Sequence, residues 1–199
     1  DGLYIVTAGV GELAEDVELS PTRVRPGDRV LVSGTLGDHG MAVLVARGDL
    51  ALEADLESDT APIHELTAAL TTLGDGLRWM RDPTRGGLAT ALNELATGAG
   101  LTVRLDEQAL PYRPTVIGAC EVLGIDPLYV ANEGKLVAIV DPAVADAALG
   151  ALRSHPLGRD AALVGVVDDD PDALVLLDTA LGGSRIVDVM VGDPLPRIC

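Results

Sequence analysis

Pro26-Gly27-Asp28-Arg29-Val30-Leu31-Val32-Ser33-Gly34-Thr35-Leu36-Gly37-Asp38-His39-Gly40 sets the frame of the chain. Pro-Gly-Asp is turn chemistry, and the apolar run that follows reads as a strand feeding a glycine-bearing loop over 34–40. Residues 41–46 then have helical composition. Upstream, residues 1–25 read as one strand, at 3–7, and an irregular acidic connection, so the core domain is expected to start near Val24. Downstream, 49–62 reads as an acidic loop, and Ile63, Leu66, Ala69, Leu70 and Leu73 recur at helical spacing. Residues 77–80 form a short strand, and Gly86-Gly87 opens a helix through about Ala99 with Leu88, Leu92, Leu95 and Ala96 on one face. Strands are expected at 101–105 and 136–140, and helices at 114–123, with proline in its first turn, and at 143–153. Two or three closing strands follow, at 162–167, 174–177 and 185–189. This mixed order predicts an α/β chain of the α+β-layer kind, a mixed sheet flanked by helices, rather than a strictly alternating parallel sheet.

A chain of 199 residues with 48% hydrophobic content has enough apolar material for one large domain, or one domain and a fragment. Fourteen cationic against 31 acidic side chains give a formal charge of −17, which repels phosphate backbones and anionic lipid. Nucleic acid and membrane surfaces are therefore excluded as partners, and a bound nucleotide needs local backbone N–H groups with a metal or a few arginines. Two cysteines are too few for a disulfide framework, and no run of about 18 apolar residues occurs, so a cytoplasmic setting is expected. The abrupt start at Asp1-Gly2, without an initiator methionine, predicts a chain cut from something longer.

Four places carry residues suited to chemistry. In the tail, Asp193-Pro194-Leu195-Pro196-Arg197-Ile198-Cys199, two prolines in three residues forbid a helix and favour an extended arm. From Val191 onward that arm could reach roughly 25 to 30 Å, at about 3.3 Å per residue, and it presents a terminal thiol. Cys120 instead falls on the apolar Val116, Cys120, Leu123 face of a helix, which leaves Cys199 as the essential thiol. In Asn132-Glu133-Gly134-Lys135, just before an apolar strand, Lys135 is the only lysine in the chain. A compact ammonium retained where every other cation is arginine suits a specific role, with Glu133 as a general base or metal ligand; the plain alternative is a turn with a surface ion pair. In Arg81-Asp82-Pro83-Thr84-Arg85-Gly86-Gly87, paired glycines, a helix start, Thr84 and Arg85 fit a phosphate cradle, against the plain reading of a strand-to-helix turn. The loop at 33–40 has similar chemistry with Asp38 and His39 added, and it resembles neither a P-loop nor a dinucleotide fingerprint.

Taken together, SGTLGDHG (33–40), RDPTRGG (81–87), ANEGKL (131–136), SHPLGRDAALVG (154–165) and PLPRIC (194–199) resemble the HypE family of hydrogenase maturation proteins across essentially the whole chain. That family sits in the superfamily of aminoimidazole ribonucleotide synthetase, selenophosphate synthetase and thiamine monophosphate kinase. The resemblance implies an amino-terminal domain that dimerises and supplies much of an ATP site, followed by an α/β carboxy-terminal domain. Here nearly all of the first domain is lacking. Residues 1–23 then correspond to its remnant strand and linker, 24–191 to the carboxy-terminal domain, and 192–199 to a flexible tail ending in the acceptor cysteine.

The resemblance also implies a reaction. A HypF carbamoyltransferase places a carbamoyl group on the Cys199 sulfur, ATP with Mg2+ phosphorylates the amide oxygen, and dehydration leaves a thiocyanate. That group supplies the CN ligands of [NiFe] hydrogenase through a HypC–HypD complex. By the same resemblance Glu133 is the base, Lys135 orients it or neutralises charge, and Gly37, Asp38, Thr84, Arg85, Gly86 and Gly87 lie at the nucleotide, with no resident metal site. The longer protein would be a homodimer and an enzyme. The alternative, suited to the truncated chain by itself, is a non-catalytic carrier and docking module that presents Cys199 to maturation partners.

Overall fold

The computed structural model describes residues 2, 6, 8–11, 17–47 and 55–189. The cysteine-bearing tail, most of the strand expected at 3–7 and the early part of the acidic loop at 49–62 lie outside the described residues.

Among the described residues seven strands form one mixed sheet: β1 (Arg29–Val32), β2 (Leu77–Arg81), β3 (Thr102–Asp106), β4 (Val137–Val140), β5 (Ala162–Asp168), β6 (Val175–Asp178) and β7 (Ser184–Ile186). Their spatial order is β2-β4-β1-β5-β3-β6-β7, and every pairing is antiparallel except β3 with β6. Five helices accompany the sheet among the described residues: α1 (Asp38–Ala46), α2 (His64–Thr71), α3 (Gly87–Ala99), α4 (Pro114–Leu123) and α5 (Ala145–Arg153). None is long and apolar enough to cross a membrane.

Strand alternation builds two layers from one sheet. In the central pair, Val30 stands opposite Ile139 and Val32 opposite Val137; these pack on one face with Leu88, Leu92 and Leu95 of α3. Leu31 and Ala138, one residue out of phase, point to the other face and meet Leu66 and Leu70 of α2 with Ala148 and Leu152 of α5. A third, smaller cluster joins Met41 and Leu44 of α1 to Val116, Ala119 and Cys120 of α4, with Val130 between them. Since β1 and β4 are covered on both faces, they read as continuous apolar runs.

Two elements differ from the sequence reading. Helix α1 begins at Asp38, inside the expected loop, because Gly37 closes the preceding turn at φ 82° and an acid in the first turn suits the positive helix end. A Cβ on Gly40 would stand 2.5 Å from Val130 Cγ1, so this helix approaches the 130–131 backbone only because residue 40 is glycine. The last strand is Ser184–Ile186 and stops short of 189. Val187 turns inward instead, fully buried, with its N–H on Val175 and its carbonyl accepting from Asn93 Nδ2.

Cys120 is 2% exposed, and burial, with the nearby Asp126 charge as a smaller cause, pushes its thiol pKa up to about 11. A thiol whose folded pKa is raised above its ordinary value near 9 favours the fold below that value. This contribution is lost as pH rises from about 9 to about 11. Iodoacetamide at pH 8 should therefore leave Cys120 intact in the native protein and modify it in denaturant, as read by peptide mass spectrometry. Rapid native modification would contradict the burial.

Candidate functional site

Three loops separated widely in sequence meet at one side chain. Asn132, 1% exposed, accepts the Gly37 N–H on Oδ1 at 2.7 Å. Its Nδ2 donates to the carbonyls of Pro83 and Val130, each at 3.0 Å, and its own N–H donates to Pro83 at 3.2 Å. The donor and acceptor ends of the carboxamide are thus fixed by their partners, one N–H against two carbonyls. The loops at 33–40 and 81–87, quoted above for similar chemistry, become neighbours through this contact.

The strand ends beside it carry the turn that holds Glu133 and Lys135. Ser33, fully buried, donates its N–H to the Leu136 carbonyl and accepts the Leu136 N–H on Oγ, both at 3.0 Å. This fixes the start of β4 to the end of β1. On the other side lies Asp59, whose side chain is 1% exposed. Its Oδ1 accepts the Glu133 N–H at 3.0 Å, and its Oδ2 stands 3.2 Å from Lys135 Nζ. A Cβ on Gly134 would run into the Asp59 carbonyl oxygen, so the turn needs glycine for the 55–61 segment to lie against it. The Lys135 side chain is itself only 11% exposed.

The ion pair at this turn is therefore buried and joins Lys135 to Asp59, where the sequence reading paired Lys135 with Glu133 or with a surface partner. Glu133 is half-buried, and its carboxylate makes no hydrogen bond or ion pair with another described residue. Asp38 is a second buried acid near this turn. Its Oδ2 accepts the Thr35 hydroxyl at 2.5 Å, and its Oδ1 lies 3.3 Å from Nε of the half-exposed Arg113. His39 Nδ1 meets Ser58 Oγ at 2.8 Å, a second tie between α1 and the 55–61 segment.

The phosphate-cradle reading meets several donors that are already engaged. The Gly37 N–H is held by Asn132, the Gly40 N–H by the Ala131 carbonyl at 3.1 Å, and the Gly87 N–H by the Thr84 carbonyl at 3.0 Å. Thr84 Oγ1 donates to Asp82 Oδ2 at 2.9 Å. Gly86 caps α3 in the left-handed region and Arg85 beside it is exposed. These residues fit a triphosphate only in part, since three of the loop N–H groups and the Thr84 hydroxyl are engaged within the chain. Among the described residues, no three His, Cys, Asp or Glu side chains converge as a metal cluster.

Gly37, Asp38, Glu133, Lys135 and the 84–87 loop thus gather around residues 130–135, while Cys199 lies outside the described residues. Sequence reading assigned no role to Asn132, although it stands in the quoted motif, and missed Asp59 and Arg113. Asp59 sits 74 residues from Glu133 in an acidic stretch, and no local pattern marks it.

Asn132→Ala should strip the Gly37 N–H and the Val130 carbonyl of this partner at once and leave the Pro83 carbonyl only the residue 132 N–H. At about 1 to 3 kcal/mol for each buried unsatisfied group, after relaxation, a loss on the order of 3 kcal/mol in urea unfolding is expected. Asn132→Asp should be no better tolerated, because it sets a carboxylate oxygen against two carbonyls. A loss below about 1 kcal/mol in both would show that the loops do not depend on this side chain.

The model for the AIR synthase related protein, C-terminal domain, matches residues 25–177. The chain is 54% identical over 200 residues to carbamoyl dehydratase HypE of Bradyrhizobium diazoefficiens, covering 100% of this chain and 58% of that protein. Among solved structures, it is similar to one of a HypE–HypF complex with a TM-score of 0.85 and 44% identity, covering 89% of this chain and 58% of that one. A structure of hydrogenase maturation protein HypE in complex with ATP matches with a TM-score of 0.83 and 42% identity, over 90% of this chain and 55% of that one. The chain therefore spans a little under three-fifths of the length of the curated relative and of these structures. With a family model over most of its length and the same seven-stranded fold, this chain belongs to the AIR synthase related protein C-terminal domain family and is similar throughout to the HypE hydrogenase maturation proteins.

Proposed function

We propose that this chain is the carboxy-terminal part of an ATP-dependent carbamoyl dehydratase of [NiFe] hydrogenase maturation, acting in the cytoplasm as part of a longer, homodimeric protein. The observation that carries this reading is the Glu133 carboxylate, half-exposed and unpaired among the described residues on a turn pinned from both sides. A positioned base of this kind suits removal of a proton from an amide nitrogen. The similarity to HypE proteins supplies the substrate: a carbamoyl group on the sulfur of Cys199, placed there by a HypF-type transferase.

The steps balance as follows. The amide oxygen attacks the γ-phosphorus of Mg-ATP, the bond to the bridging oxygen breaks, and ADP leaves. Glu133 takes one proton from nitrogen. The C–O bond then breaks with loss of phosphate, the second N–H proton departs, and S–C≡N remains on Cys199. Lys135, tethered to Asp59, stabilises negative charge near the oxygen that becomes phosphorylated. The thiocyanate passes its cyanide to iron on a HypC–HypD-type acceptor.

In this reading Gly37, Asp38, Thr84, Arg85, Gly86 and Gly87 border the nucleotide. Most of the phosphate contacts come from the longer protein, in keeping with the engaged loop donors here. The domain runs over 24–191, after a linker at 1–23, and 192–199 is the arm that delivers the cysteine.

Single-turnover dehydration of the pre-carbamoylated longer protein tests this. Glu133→Gln should keep carbamoyl acceptance and ATP binding yet slow the loss of one water from the terminal peptide by about 10²-fold or more, the usual scale for a lost general base. An unchanged rate would remove Glu133 from the chemistry. Cys199→Ala should abolish carbamoyl acceptance, and label appearing on Cys120 instead would overturn the assignment of the acceptor. The chain by itself should fold and bind Mg-ATP weakly in isothermal titration; micromolar binding would move the nucleotide site onto the 34–40 and 82–87 loops.

A further inference from the structure

The Glu133 turn depends on a residue contributed from far away in the sequence. Asp59 places one carboxylate oxygen on the Glu133 N–H, at 3.0 Å, and the other 3.2 Å from the Lys135 ammonium. Its side chain is 1% exposed, so both contacts are made away from solvent, where screening is weak. The lysine stem lies over Gly34: its Cε would stand 3.0 Å from a Cβ built there. Lys135 and Glu133 are two residues apart on the same turn, and the ammonium would otherwise have Glu133 as a neighbouring carboxylate. Paired there, Glu133 would lose basicity and a lone pair.

We propose that Asp59 is a positioning residue for the proposed dehydration: it fixes the Glu133 backbone and holds Lys135 away from the Glu133 carboxylate, leaving that carboxylate free to accept a proton. This inference rests on reading Glu133 as the base. Asp59 touches no reacting atom and acts only through the turn. The tie between Ser58 and His39 fixes the same segment to α1, so Asp59 approaches the turn from an anchored strap.

The test is a double-mutant cycle on the whole protein, pre-carbamoylated on its terminal cysteine and given Mg-ATP for one turnover. Asp59→Asn keeps the size and an acceptor for the Glu133 N–H but removes the charge that holds Lys135. Assayed well below the melting temperature of either protein, dehydration should slow by about tenfold or more while carbamoyl acceptance stays close to the parent, a step-selective loss that a general weakening of the fold would not give. In a Glu133→Gln background the same substitution should cost clearly less than in the parent, because its route through Glu133 is gone and only its effect on the placement of Lys135 remains. If Asp59→Asn does not fold, Asp59→Ser replaces it in the cycle. Additive losses, or a parental rate in the Asp59 variant while Glu133→Gln is slow, overturn the positioning role alone. A parental rate in Glu133→Gln removes the reading of the base and this inference with it.

Discussion

The Asn132 carboxamide satisfies, in one buried place, a backbone donor of the 33–40 loop, the Pro83 carbonyl just before the 84–87 turn and the Val130 carbonyl of its own segment. Loops rarely survive inside a protein unless their peptide groups find partners, and here a single side chain supplies them to segments 49 and 95 residues away. Both ends of the amide are used, so no other side chain of similar size offers the same pattern. Everything the candidate site requires, from the start of α1 to the start of α3, is set relative to this contact.

Around that clasp the chain places its charges sparingly. A net charge of −17 opposes a polyphosphate at long range, and the Gly37, Gly40 and Gly87 N–H groups are engaged within the chain. What the site keeps is local: Lys135 inside, Arg113 against Asp38, and Arg85 at the opening of α3. A buried pair such as Lys135 with Asp59 is weak ground for claiming stability, since desolvation offsets much of the attraction. Its stronger consequence is geometric, because both partners lose their freedom to pair elsewhere, and Glu133 is left without a cation among the described residues.

The sheet explains why these loops can be held so closely. β1 and β4 are central and apolar on both faces, with α3 on one side and α2 and α5 on the other. The end of β1 and the start of β4 are joined by the paired bonds of Ser33 and Leu136, and the turn of Glu133 and Lys135 leaves directly from that junction. A site built on the ends of buried strands inherits their rigidity. The outer strands β3 and β6, linked by Arg104 and Asp178 at 2.6 Å, extend the sheet without contributing to the site.

From the sequence by itself came the element types, most boundaries within a few residues, the mixed layer architecture and the family. These rest on periodicity and turn chemistry, which are local: Leu88, Leu92 and Leu95 declare a helix face, and Pro114 and Gly86-Gly87 declare helix starts. The start of α1 escaped because Asp38-His39-Gly40 carries loop composition, and only the fit of Gly40 against Val130 makes a helix there favourable. Glu133 and Lys135 stood out as residue types, yet the sequence offered no sign that the lysine's partner would be Asp59. That pairing is decided by the fold, which lays an acidic, patternless segment across the turn, and burial turns an ordinary aspartate into the residue that fixes both neighbours. Local patterns write secondary structure into a sequence; which buried donor meets which acceptor is settled only when distant segments are packed together and water is excluded between them.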